Sequence, residues 1–97
     1  MAAIVTNPAN GAQKGDGTFD WNMTGVFYIK SKVIVGYSPG VDDIYTGGNG
    51  FNKPICRDTN VHHPGGNTLC YARPKYQKGG TAWYTVNSTI TSFTSTG

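Results

Sequence analysis

The chain contains no glutamate, a single leucine at Leu69 and only 13% charged side chains in its 97 residues. Without glutamate and with one leucine, helix has little to be built from: six Ala, six Lys and a few Met, Gln and Arg are the helix formers that remain. The same gap thins the catalytic inventory. Any carboxylate pair must come from Asp16, Asp20, Asp42, Asp43 and Asp58. Only Asp42 and Asp43 adjoin, and neighbours in a turn rarely face each other as an acid and a base must. A nucleophilic set of Cys70, His62 or His63, and Asp58 can be named, but only because the three residue types occur. Phosphate-binding loops, dinucleotide fingerprints and the HExxH and GxSxG motifs are absent. A non-catalytic protein without a cofactor is expected.

No apolar run is long enough to cross a bilayer, so no membrane span is expected. Residues 1–17 lack the basic start and apolar stretch of a signal peptide, so none is visible. The charge that is present, a net +3, comes from cations spread along the chain, with Arg73, Lys75 and Lys78 as the one local group. That dispersal disfavours a nucleic-acid partner.

Twelve Thr, seven Val, six Ile, six Tyr, four Phe and two Trp suit a pleated, half-buried surface instead. Ala3 to Thr6 is a short apolar run stopped by Asn7-Pro8, and residues 7–17 are dense in turn formers. Residues 1–17 therefore read as an arm or edge strand, and residues 18–97 as a single β domain. Phe19, Trp21 and Met23 alternate with polar residues. Beyond Gly25, Phe27, Ile29, Ser31, Val33 and Val35 share one face, opposite Tyr28, Lys30, Lys32, Val26 and Ile34. Residues 36–50 read as a Gly-rich connection around a very short strand at Ile44-Tyr45, and residues 51–57 as an edge strand interrupted by Pro54. Residues 58–67 read as a loop, Thr68 to Ala72 as a strand, and Thr81 to Phe93 as a last strand with a threonine ladder outside. The expectation is an all-β fold, a small antiparallel sandwich or barrel of five to seven strands with long Gly-rich loops and an extended N-terminal arm.

Cys56 and Cys70 bracket the turn-rich 57–69 segment, and a long hairpin there brings them opposite each other for a disulfide. Closing that loop is worth about 3 kcal/mol in the chain-entropy model. Two buried reduced thiols are the alternative. The spacing C-x5-HH-x6-C is unlike the close ligand pairs of zinc sites, so no metal is expected, and His62 and His63 read as exposed loop residues or partner contacts. Asp42-Asp43 reads as a turn cap rather than a calcium site. Asn22 and Asn87 each begin an N-glycosylation pattern.

CYARPKYQKGG followed by NSTITS, residues 70–92, resembles a microbial βγ-crystallin motif, with Tyr71, Tyr76 and Gly79 in the aromatic and glycine positions and Asn87 to Ser92 in the calcium-motif position. The aromatic-to-glycine spacing is one residue too long and Ser88 stands where Asn or Asp is expected, so the family's calcium site is not carried over.

A surface solvated by hydroxyls and amides is cheap to desolvate. The function expected is a structural subunit of a larger assembly, such as a virion surface, tail or decoration protein or an extracellular fibre. Its partners are copies of itself or other subunits, and a virion or extracellular setting is favoured. Its contacts are expected at Ile4 and Val5 of the arm and at Thr85, Thr89 and Thr91 of the threonine ladder. The alternative is a secreted carbohydrate-binding or inhibitory module, using Tyr37, Tyr45, Phe51 and Tyr76 as rings for a glycan.

Overall fold

Nine β-strands and no helix make up the computed structural model, which describes residues 3–97. The strands are β1 (Ala3–Asn7), β2 (Gln13–Lys14), β3 (Gly17–Asn22), β4 (Lys30–Gly36), β5 (Tyr45–Phe51), β6 (Ile55–Val61), β7 (Thr68–Gln77), β8 (Ser88–Thr89) and β9 (Thr91–Ser95). They form a four-stranded sheet of order β6-β3-β1-β8 and a five-stranded sheet of order β2-β9-β7-β4-β5. The two sheets pack into an all-β sandwich. Both sheets are mixed: most neighbours are antiparallel, but β1 runs parallel to β8 and β2 parallel to β9. The expected antiparallel sandwich is corrected to that extent.

Alternation along the strands sets the layers. Val5 of β1, Phe19 and Trp21 of β3, Val33 and Val35 of β4, Cys70, Ala72 and Tyr76 of β7 and Phe93 of β9 turn inward and are almost wholly buried. Trp21 stands at the centre, and its indole N–H donates to the Ser31 hydroxyl at 2.9 Å. That bond removes the cost of burying the one polar atom of the ring.

Residues 3–7 are not an arm but a strand inside the sheet; residues 1 and 2 of the expected arm lie outside the described residues. β1 lies between β3 and β8 and contributes Val5 to the core, ending at the Asn7-Pro8 bond, with Pro8 buried. The Gly-rich segment is not a loop either: Thr46 to Gly50 are part of β5. Their glycines answer close approach rather than turning. A Cβ on Gly50 would overlap the Ser31 hydroxyl and the Cys56 sulfur, and one on Gly48 would stand 2.6 Å from the Trp21 ring. Pro54 sits in the turn between β5 and β6, and β6 runs on through Asp58, Thr59 and Asn60, which read as loop because a free edge strand exposes polar side chains.

The expected 81–93 strand is broken into a loop, the two-residue β8 and β9. Asn87 interrupts it by taking a left-handed backbone (φ 59°), which asparagine tolerates better than most residues. Its alternation therefore does not continue: Thr91 is fully buried and its hydroxyl donates to Val5 O at 3.1 Å.

Two acids, the exposed Asp16 and the half-buried Asp20, fasten β3 to β6 and to His62-His63. Asp16, before β3, accepts the His63 N–H at 2.9 Å and lies 3.1 Å from His62 Nδ1. Asp20 of β3 pairs with Arg57 of β6 at 2.7 Å. The His63 amide, first, holds the Asp16 carboxyl below its ordinary 3.8, and the Arg57 guanidinium, first, does the same for Asp20. A carboxyl depressed in the folded state contributes stability that is present above its unfolded pKa and is lost as pH falls through the folded one. Thermal melts from about pH 6 to about pH 2 are expected to show a falling Tm below about pH 4. The double variant Asp16→Asn, Asp20→Asn is expected to start lower and show a flatter acid limb, and an acid limb identical to the parent's would refute this assignment.

Candidate functional site

Segments 23–29 and 51–55 run side by side at one end of the sandwich. The Met23 N–H donates to Pro54 O at 2.7 Å and the Asn52 N–H to Ile29 O at 3.2 Å. Tyr28 fastens the two: its hydroxyl accepts the Lys53 N–H at 2.7 Å, pairs with Lys53 O and lies 3.3 Å from Cys56 Sγ. Burial, and then the neighbouring Cys56 thiol, push the Tyr28 phenol up to about 12, so it stays protonated and able to donate. With the tyrosine turned inward, the apolar side chains around it point out. Phe27 is 71% exposed, Phe51 55% and Ile55 63%, with Ile29 beside them. Phe27, with Met23, Val26, Asn52, Lys53 and Pro54, lines a shallow hollow between the two segments.

A second hollow lies between the two long free edges, β5 and β6, lined by Tyr45, Gly48, Arg57, Asp58, Thr59 and Asn60. Gly48 carries no side chain to fill it. The Tyr45 hydroxyl donates to the Asp58 carboxylate, which also accepts the Asn60 N–H at 3.0 Å. Burial and the Asp58 charge raise the Tyr45 phenol to about 12. The hollow is polar and has both charges at hand, but the carboxylate is already engaged and no second acid faces it.

The residues singled out from sequence scatter over the fold. Cys56 and Cys70 are both free and buried, which corrects the expected disulfide. The 57–69 segment is no hairpin: it carries the chain from β6 in one sheet to β7 in the other. Cys56 packs beside Tyr28 and Ser31, whereas Cys70 sits opposite Phe93, where burial pushes its thiol up. Of the expected assembly contacts, Val5 and Thr91 are consumed by the protein's own core, Ile4 and Thr85 are half-buried, and Thr89 alone is exposed. Of the expected ligand rings, Tyr76 is buried with its hydroxyl donating to Val86 O at 2.7 Å, Tyr45 is half-buried on Asp58, and Tyr37 and Phe51 are exposed.

His62 is exposed as expected, but His63 is not. Its ring lies inside the core edge-on to Phe19 and Phe93, with Nε2–H donating to Gly15 O at 3.1 Å and Nδ1 pairing with the Ser95 hydroxyl. Asp43 caps the turn after β4, accepting the Tyr37 N–H at 3.0 Å. Among the described residues no three His, Cys, Asp or Glu side chains converge as a metal site, and there is no helix long and apolar enough to cross a membrane. In the stretch that resembles a βγ-crystallin motif, the Ser88 and Thr91 hydroxyls are spent on Pro74 O and Val5 O.

Compared with known proteins, the chain matches no family model, no curated protein and no solved structure.

Proposed function

We propose that the chain is a non-catalytic structural subunit of a larger assembly, of the kind found on virion surfaces, in tails or decorations, or in extracellular fibres, with copies of itself as first partners. The observation that carries this reading is the apolar end of the sandwich: Phe27, Ile29, Phe51 and Ile55, on or beside the two segments that Tyr28 fastens, are all exposed. Large apolar side chains clustered on the surface mark a contact site, whereas single ones do not. The free edges of β5 and β6 border this end and offer unpaired main-chain groups for a neighbouring strand. On this reading the contact surface lies away from the β1 and threonine positions expected from sequence.

Sedimentation of the full chain over a wide concentration range tests the reading. The wild type is expected to self-associate, and Phe27→Asp with Phe51→Asp to weaken association at least tenfold without lowering Tm, since both side chains lie outside the core. A wild type that stays monomeric at every concentration would overturn it. The alternative, a carbohydrate-binding module, rests on the polar hollow of Tyr45, Arg57, Asp58, Thr59 and Asn60. A monomer that binds glycans and loses them in Tyr45→Phe would put that reading in its place.

A further inference from the structure

The cations that are dispersed in the sequence are gathered by the fold. Lys30 and Lys32 of β4 point to the outer face of the five-stranded sheet, because Ser31, Val33 and Val35 between and beyond them point inward. The antiparallel register sets Lys75 of β7 directly opposite Lys32, Gln77 opposite Lys30 and Arg73 opposite Ile34. Two like charges facing across a ladder repel one another. Among the described residues, ion pairs within 4.0 Å involve only Arg57, His62 and His63, so none neutralises Lys30, Lys32 or Lys75. Burial, and then the Lys75 charge, pull the Lys32 ammonium below its usual range; Asp42 is the one acid whose field opposes this, and Lys30 adds to it. Arg73 is occupied at Ser88 O, at 2.6 Å, and is not counted with the free cations.

Rings stand among these charges. Lys32 Nζ lies 4.2 Å from the centre of the half-buried Trp83 ring, and Lys78 Nζ lies 4.9 Å from that of Tyr84. A sheet that keeps mutually repelling lysines and sets a half-buried Trp83 and an exposed Tyr84 among them suits a partner that brings both regularly spaced negative charge and flat apolar faces.

We infer that the outer face of the five-stranded sheet binds single-stranded nucleic acid, with Lys30, Lys32 and Lys75 on successive phosphates and Trp83 beside them as a ring for a base. Lys30 and Lys32 are two residues apart on one strand, about 6.7 Å, a separation that matches the step of an extended sugar-phosphate chain. Unpaired bases reach such rings and paired ones do not, which selects a single strand over a duplex. The inference does not rest on the assembly reading: it is centred on Lys32 and Lys75 of β4 and β7, and only Lys30, which pairs with Phe51, borders the apolar end.

Fluorescence anisotropy of a labelled oligothymidylate at low salt, with a salt series, tests it on the full chain. Wild type is expected to bind with an affinity that falls with salt. Lys32→Gln with Lys75→Gln is expected to lose at least tenfold in affinity and to flatten the log–log salt slope by about 1.4, two phosphates at about 0.7 each. Trp83→Ala is expected to lose about fivefold or more. Lys53→Gln, at the apolar end, is expected to bind like wild type. The double lysine variant is also expected to melt within a few degrees of the parent, because relief of the repulsion offsets the lost Lys32–Trp83 contact, which separates lost binding from lost folding. No binding at low salt, an unchanged double variant, or equally tight binding of duplex DNA or polyglutamate would overturn the inference.

Discussion

Gly50→Ala is expected to be among the most destabilising single methyl additions on a strand. The new Cβ would overlap the Ser31 hydroxyl and the Cys56 sulfur and stand 2.9 Å from Cys56 Cβ. Neither neighbour is the free end of a flexible chain: Ser31 is held by the Trp21 indole, and Cys56 is enclosed beside Tyr28. Relief therefore requires β5 to move off β4, which breaks the pairing of Ser31 with Gly50 and of Lys30 with Phe51. Overpacking commonly costs about 1–3 kcal/mol, and a site without slack belongs at the top of that range, a fall in Tm of about 12 °C or more for a domain of this size. Gly80→Ala is the control. Nothing lies within 4 Å of its would-be Cβ, so a Tm within a few degrees of the parent is expected. Thermal unfolding followed by near-ultraviolet circular dichroism reads both, and equal melting of the two variants would show that β5 does not ride on β4 as described.

Trp21→Ala is the second large effect. The ring is fully buried between the sheets, touches the glycine backbone of β5 and holds Ser31, so its removal leaves a cavity and an unpartnered side of a buried hydroxyl together. Large-to-small changes of this kind cost about 3–5 kcal/mol. Trp21→Phe keeps much of the volume and loses the indole donor, for which about 1 kcal/mol plus a smaller cavity term is expected. Chemical denaturation midpoints distinguish them, and an alanine variant no worse than the phenylalanine one would mean that the core closes over the gap.

Composition and the two-residue rhythm carry the fold class, and they also place Phe19, Trp21 and Met23 inside, as found. What they miss has physical causes that single residues show. TGGNG reads as a loop because glycine usually serves turns; here it serves the close approach of a strand to Trp21 and Cys56, a requirement that lives in the neighbouring sheet. Thr81 to Phe93 reads as one strand because the side-chain alternation is unbroken, while the break lies in the backbone of Asn87. Phe27 and Ile29 share a rhythm with Val33 and Val35 but precede the strand, which begins at Lys30, so their phase does not carry into the core.

The candidate surfaces are less legible still. Lys32 and Lys75 lie far apart in the chain and opposite each other in the sheet, a fact of register that no local pattern contains. The same is true of the apolar end, which exists because Tyr28 ties residues 52–56 to residues 23–29. The cysteine spacing pointed to a hairpin that the chain does not make, and a crossing between sheets has no spacing of its own to read.

The parallel pairing of β1 with β8 and of β2 with β9 joins the beginning of residues 3–97 to their end in both layers, down to the Thr96 N–H on Lys14 O and the Thr91 hydroxyl on Val5 O. A ribosome adds residues 88–96 after the other strands of both sheets, so neither layer can acquire its final neighbour while the earlier part of the fold is emerging. The first strand must wait with Val5 uncovered. Such long-range closure belongs to slow, late-committing folding, in which the two sheets gain their cooperativity in one step.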